Sequence, residues 1–195
     1  MGAAKYLVTQ SLLGALDRAY VYGDFDSFLK SLRKEETPPS VPMLNGIQFE
    51  KMVYEFANTG QVLQKDWTHG IMAIGDRLKG AQFQVRLSKE LTVDGMDFVL
   101  YGVLDALKAG TIYDVKFTQS YEKPRYFTSM QHPAYLELCP EADKFTYLIS
   151  DGNLIWEETY TAVGTQPIKY AIGDLIRFLT EHDLMEEYKK YWEGK

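Results

Sequence analysis

Apolar residues recur every three or four positions in the first third of this chain and every second position in its middle third, and that change of period predicts the elements. "TQSLLGALDRAY" opens on the capping residues Thr9 and Ser11 and sets Leu12, Leu13, Leu16 and Tyr20 at helical spacing. "FDSFLKSLRK" repeats the pattern with Phe25, Phe28, Leu29 and Leu32, and "EETPPSVP" reads as a loop. "LNGIQFEKMVYEFAN" carries Ile47, Phe49, Met52, Val53 and Phe56 on a helical stripe, and a further helix is expected over "GQVLQKDWTHGIMAIGDRL" despite its glycines. "AQFQVRLSKEL" then alternates Phe83, Val85 and Leu87 with Gln82, Gln84 and Arg86, as a half-buried strand does. The turns "VDG" and "KAG" link it to "MDFVLYGVLDAL" and "TIYDVKF" in an antiparallel meander. A helix is expected over "RYFTSMQHPAYLEL", with Pro133 awkwardly inside it, and a hairpin over "KFTYLIS", "DGN" and "LIWEETYTA". One long amphipathic helix, "PIKYAIGDLIRFLTEHDLMEEYKKYW", closes the pattern with a solvated, mostly acidic tail. The order predicts a mixed α/β (α+β) fold: one central mixed sheet, made of the three-stranded meander and the later hairpin, flanked by helices.

Composition narrows this picture. A chain of 195 residues suits a single domain over 1–195, with a helical part over about 1–80, a sheet core over about 81–162 and a C-terminal helix over about 167–192. The lone Cys139 excludes an intramolecular disulfide framework and any four-cysteine metal or iron–sulfur site. No apolar run reaches membrane-spanning length, and Met1 to Gln10 lacks a signal-peptide plan, so a cytoplasmic protein with no membrane partner is expected. The net charge of −6 does not advertise nucleic-acid binding, although carboxylates gathered round a cation would contribute to it.

The middle strands carry the candidate chemistry. Asp114 and Lys116 lie two apart in the apolar "TIYDVKF" and share a face, while Asp105 ends the preceding strand across a tight turn. Two carboxylates brought together in a sheet repel unless a cation sits between them, and hard divalent ions take carboxylate oxygens. An amine alongside can stabilise the charge that develops during phosphodiester hydrolysis. An acid-x-Lys triplet alone means little, since Glu187–Lys189 and Glu193–Lys195 match it in the polar C-terminal region. A structural Asp–Lys ion pair therefore remains open on these two strands alone.

"GVLDALKAGTIYDVKFT" resembles the core of the PD-(D/E)xK nuclease superfamily, with Asp105 as the lone acid and Asp114-Val115-Lys116 as the (D/E)xK element. "NGIQFEKMVYEF" resembles the helix before this core in the lambda-exonuclease and RecB-like branches, which aligns Glu50 with a metal-binding or metal-orienting position. "QHPAY" supplies Gln131 and Tyr135 as a Q-x-x-x-Y element, and "VTQSLLGAL" resembles an S-x-S-x-L start with Thr9 for the first serine. The resemblance spans roughly residues 8–136. It implies a restriction-endonuclease-like core and one or two Mg²⁺ or Mn²⁺ ions held by Glu50, Asp105, Asp114 and the Val115 carbonyl. It further implies that Lys116 acts in catalysis, with Gln131 and Tyr135 positioning the lysine or the scissile strand. The implied activity is a deoxyribonuclease, by preference an exonuclease acting on DNA with a free end and leaving 5′-phosphates, in phage-type recombination, repair or defence. A recombination partner protein and a homo-oligomer are compatible with it.

Departures from the pattern are Leu104 where proline commonly precedes the lone acid, and aspartate where most RecB-like members have glutamate. The cysteines of the iron–sulfur branch are absent, so no cluster is implied. Gln166 and Tyr170 repeat the Q-x-x-x-Y spacing but follow the hairpin. His69, His132 and His182 show no metal-ligand spacing, and His132 reads as a surface residue beside Gln131. Cys139 reads as inert, and Tyr121 and Tyr126, beside Lys123 and Arg125, are candidate stacking platforms for bases. The alternative function is a nuclease fold that no longer cuts and serves as a DNA- or protein-binding module, and coincidental motifs on an unrelated α/β protein are the third reading.

Overall fold

The computed structural model describes residues 5–62 and 66–194. Strand β1 (Tyr6–Thr9) precedes four helices, α1 (Gln10–Tyr22), α2 (Phe25–Leu32), α3 (Val41–Thr59) and α4 (Thr68–Leu78). The meander follows as β2 (Gln82–Val93), β3 (Met96–Lys108) and β4 (Thr111–Phe117). Helix α5 (Gln131–Leu138), the hairpin β5 (Lys144–Ser150) and β6 (Ile155–Thr161), and the helices α6 (Lys169–Glu181) and α7 (Met185–Trp192) complete the chain. A mixed central sheet lies between helices, as in a restriction-endonuclease-like fold.

Local chemistry sets the boundaries, and it moves four of the expected ones. Helix α3 starts inside the expected loop: Ser40 accepts the Met43 N–H, and Pro42 falls in the first turn, where its missing N–H costs nothing. The helix expected over 60–78 begins only at Thr68, after Trp67 in a left-handed conformation, and residues 63–65 of that stretch lie outside the described residues. The helix expected from Arg125 begins at Gln131, which puts Pro133 in its first turn instead of its interior. The long C-terminal helix is two helices, broken where Asp183 takes φ +56°. Its tail is docked and not solvated. Tyr188 and Trp192 are buried, and their polar ends donate to the Leu7 and Leu32 carbonyls at 2.8 and 2.7 Å.

The sheet runs β1-β3-β4-β5-β6, with β2 paired to the other edge of β3. The expected meander and hairpin are antiparallel, whereas β1–β3 and β4–β5 pair in parallel. Two apolar layers form on its faces, as β4 shows: Ile112 joins the layer of α1, α2, α5, α6 and α7, while Val115 joins that of α3 and α4. No helix among the described residues is long and apolar enough to cross a membrane.

Gly102 on β3 is where α5 comes nearest the sheet, because a Cβ there would stand 2.6 Å from Tyr135 Cε1 and 2.9 Å from Leu138 Cδ1. Both neighbours are buried, so neither can swing away freely. Gly102→Ala is expected to destabilise the protein by about 1–3 kcal/mol. Urea unfolding reads this as a lower midpoint at unchanged slope, and an unshifted midpoint refutes the close approach.

Candidate active site

The site begins where two strands part. Strand β4 pairs with β3 from Lys108↔Thr111 to Ala106↔Tyr113, and there the ladder stops. The next opposed residues are Asp105 and Asp114. Instead of a backbone carbonyl, the Asp105 carboxylate accepts the Val115 N–H at 3.2 Å. Further along the same edge, β1 pairs with Phe98 to Tyr101, so residues 102–105 face an opening between β1 and β4. Strands β2 and β3 also change sides here. Phe83 and Ala106 join the α3/α4 layer, yet Val85 and Leu104, two residues away on each strand, pack in the other. A regular strand keeps residues i and i+2 on one face. The intervening residues are Gln84, with φ +53°, and Asp105.

The predicted residues meet at this opening to different degrees. Asp114 is 2 % exposed, with Oδ2 2.7 Å from Lys116 Nζ and Oδ1 accepting from Gln131 Nε2 at 2.9 Å. Among the described residues Oδ2 receives no hydrogen bond of normal directionality, so its contact with the ammonium is ionic. Glu50 enters from α3, where Oε1 accepts the Tyr54 hydroxyl at 2.7 Å and Gln84 Nε2 at 3.4 Å. Gln131 thus reaches Asp114 and not the lysine. Tyr135, one helical turn after Gln131, packs on Gly102 at 6 % exposure with Gln10 near its hydroxyl. Gln166 lies in the loop before α6, outside this cluster.

Electrostatics define what the cluster needs. Burial, then Asp114 and Glu50, push the Asp105 carboxyl well above the usual carboxylate range. Burial likewise raises Glu50, helped by Asp114 and opposed by the Tyr54 hydrogen bond. For Lys116 burial works against the charge, but Asp114 and Asp105 outweigh it and hold the ammonium above its ordinary value. Burial beside Asp114 and Asp105 pushes the Tyr135 hydroxyl up to about 12. Among the described residues no three Asp, Glu, His or Cys side chains already close into a coordination shell. The donors are nevertheless all oxygens, neighbouring carboxylates oppose the charges of Asp105 and Glu50, and one buried carboxylate oxygen has no directed partner. Mg²⁺ needs only one or two carboxylates with water completing its shell, so the residues fit a hard divalent cation.

Several side chains sit elsewhere than the pattern suggests. His132 is buried, not on the surface; it stacks on Tyr160 at 4.1 Å, and burial lowers its pKa to about 4. Tyr121 and Tyr126 are half-buried, the first tilted against Trp156 and the second stacked on Tyr147, and the exposed aromatic of their loop is Phe127. Sequence reasoning passed over Tyr54, Gln84 and Glu158. Tyr54 was detectable, because it stands one helical turn after Glu50. Gln84 looked like an ordinary solvent-facing strand residue.

No family model and no curated protein matches the chain. Among solved structures, that of SSO0001 is similar over 91 % of this chain and 79 % of its own, at 17 % identity and a TM-score of 0.58. That of LHK-Exo in complex with dAMP covers 94 % and 90 % at 13 % identity and a TM-score of 0.47. The first likeness is one of fold alone, and the second superposition is too loose to bear on function.

The raised Asp105 carboxyl makes stability depend on pH. In the folded chain Asp105 keeps its proton where the unfolded chain has lost it, so stability falls as pH climbs from about 3.9 through the raised value. Asp105→Asn lacks that loss and can still accept from Val115. In EDTA the variant is expected to match wild type near about pH 4 and to exceed it increasingly toward neutrality. Urea titrations across that range check this, and a gap that stays constant with pH contradicts it.

Proposed function

We infer that this protein is a Mg²⁺- or Mn²⁺-dependent deoxyribonuclease, and the observation that carries the reading is the meeting of Asp105, Asp114, Lys116 and Gln131 where β3 and β4 part. Glu50, Asp105, Asp114 and the Val115 carbonyl would hold the ion, which supplies Lewis-acid polarisation of the phosphoryl oxygens and offsets charge on the leaving oxygen. Lys116 stays protonated at neutral pH, so it can donate to a phosphoryl oxygen as negative charge builds there. Gln131 fixes the Asp114 carboxylate through Oδ1 and leaves Oδ2 to the ammonium or the cation. Tyr54 and Gln84 do the same for Glu50, holding Oε1. Water attacks phosphorus as the P–O3′ bond breaks, a proton of that water ends on the leaving O3′, and a 5′-phosphate and a 3′-hydroxyl remain. Exonuclease action on a free DNA end follows from the family resemblance. A second reading, a fold that binds without cutting, draws on the Asp114 carboxylate being already engaged by Lys116 and Gln131.

Cleavage of linear DNA should require Mg²⁺ or Mn²⁺, and Lys116→Ala should lower it about 10²–10³-fold, the cost of removing one donor to a developing oxyanion. Gln131→Ala should impair it more than Gln166→Ala, because only Gln131 touches Asp114. Wild-type rates from the lysine variant, with its fold intact by circular dichroism, refute the assignment.

Cation binding should also show in stability. At a hundredfold excess over its dissociation constant Mn²⁺ should add about 2.7 kcal/mol. Thermal melts of wild type and Asp105→Asn, with EDTA and with Mn²⁺, read this directly. Only wild type should respond, and an indifferent wild type excludes the metal site and with it the nuclease reading.

A further inference from the structure

Between β4 and α5 the chain runs from Thr118 to Met130 without regular structure, and one carboxylate holds it. Glu158 on β6 is 1 % exposed. Its Oε1 accepts the Tyr121 hydroxyl at 2.6 Å and the Arg125 N–H at 2.7 Å. Its Oε2 accepts the Tyr126 N–H at 3.1 Å and the Tyr160 hydroxyl at 2.6 Å. A buried carboxylate with four donors is a strong anchor, since charged acceptors roughly double the strength of each bond. Burial opposes its charge, but the Tyr121 and Tyr160 hydroxyls and the two backbone amides outweigh it and keep the carboxyl below its usual value.

The anchor has two consequences for the opening. On the inner side it seats Tyr126 against Tyr147 at 4.4 Å, and Lys116 Nζ lies 6.0 Å from the same Tyr147 ring. On the outer side it turns Lys123, Arg125 and Phe127 to solvent, Phe127 at 69 % exposure. Among the described residues neither cation is paired with a carboxylate. The Arg125 guanidinium bonds Thr118 Oγ1 at 2.9 Å and the Ser120 carbonyl at 2.7 Å, and Lys123 Nζ bonds the Glu157 carbonyl at 3.3 Å. Two cations without a carboxylate partner and an exposed ring, linked toward Lys116 by Arg125 on Thr118 and by Tyr126 on Tyr147, match the charge and the base faces of a nucleic-acid strand.

We propose that Glu158 is a positioning residue that sets the β4–α5 loop, so that Lys123, Arg125 and Phe127 hold the DNA strand against the opening between β3 and β4. The ligand rests on the nuclease reading; the clamp does not. Two measurements separate them. Native trypsin digestion tests the clamp: wild type should resist cutting after Arg125, and Glu158→Gln should be cut there several-fold faster at unchanged circular dichroism. Tyr121→Phe, which removes one bond, should move the same way by less.

Binding of a fluorescein-labelled DNA oligonucleotide in EDTA, measured against salt, tests the purpose. Lys123→Ala/Arg125→Ala should lower the salt slope by about two, one for each phosphate that no longer has a cation against it. Glu158→Gln should lower it too, and the three substitutions together should weaken binding no more than the cation pair alone. Independent, multiplying effects, or wild-type binding by Glu158→Gln, overturn the proposal. Faster tryptic cutting with no DNA binding by wild type overturns it through its ligand, while Mg²⁺-dependent cleavage reports separately on the nuclease reading.

Discussion

Strand β3 has two edges and three neighbours. Strand β2 takes one edge along its whole length, and β1 and β4 divide the other. The division leaves a stretch where backbone groups must find partners outside the ladder, since buried amides are rarely left unpaired. The Asp105 carboxylate meets that need for Val115. A group that repairs the sheet is therefore also a group whose charge burial, Asp114 and Glu50 all oppose. Backbone and chemistry are tied at one atom pair, and the remaining side chains adjust to it. Gln131 and Lys116 share Asp114, Tyr54 holds Glu50, and Gln84 bends its strand opposite Asp105.

The strands of the meander and hairpin were legible because their alternation is long and their turns carry glycine. Asp105, Asp114 and Lys116 were legible for the same reason: charged residues in apolar strands violate the pattern. Strand β1 was hidden, because Tyr6–Thr9 is too short to show a period and its partner lies in the middle of the chain. Residues 125–130 read as the start of a helix, but they belong to the loop before α5. A distant carboxylate, Glu158, claims the backbone amides of Arg125 and Tyr126 instead. Tertiary partners of this kind leave no local mark. The break at Asp183 belongs with them, because the burial of Tyr188 and Trp192 against β1 and α2 decides it, and not any helix breaker such as proline or glycine.

The two apolar layers carry different parts of the cleft. Glu50 and Tyr54 come from the α3/α4 side, and Gln131 and the loop anchored by Glu158 come from the other. The change of sides at Gln84 and Asp105 is what lets groups from both faces reach one opening at the sheet's edge. A shift of α3 would separate Glu50 from Asp114, and a shift of α5 would separate Gln131 from it, without disturbing β4 itself.

Strand β1 has a bearing on how the molecule is assembled. It forms one wall of the cleft, yet it pairs with Phe98 to Tyr101, and Tyr188 of α7 caps it through the Leu7 carbonyl. A ribosome delivers it well before either of these supports. Parallel pairing over such a span is a slow, entropically expensive closure. That wall of the cleft gains its Tyr188 support only after α7 has been made, so a chain cut short before α7 would lack it.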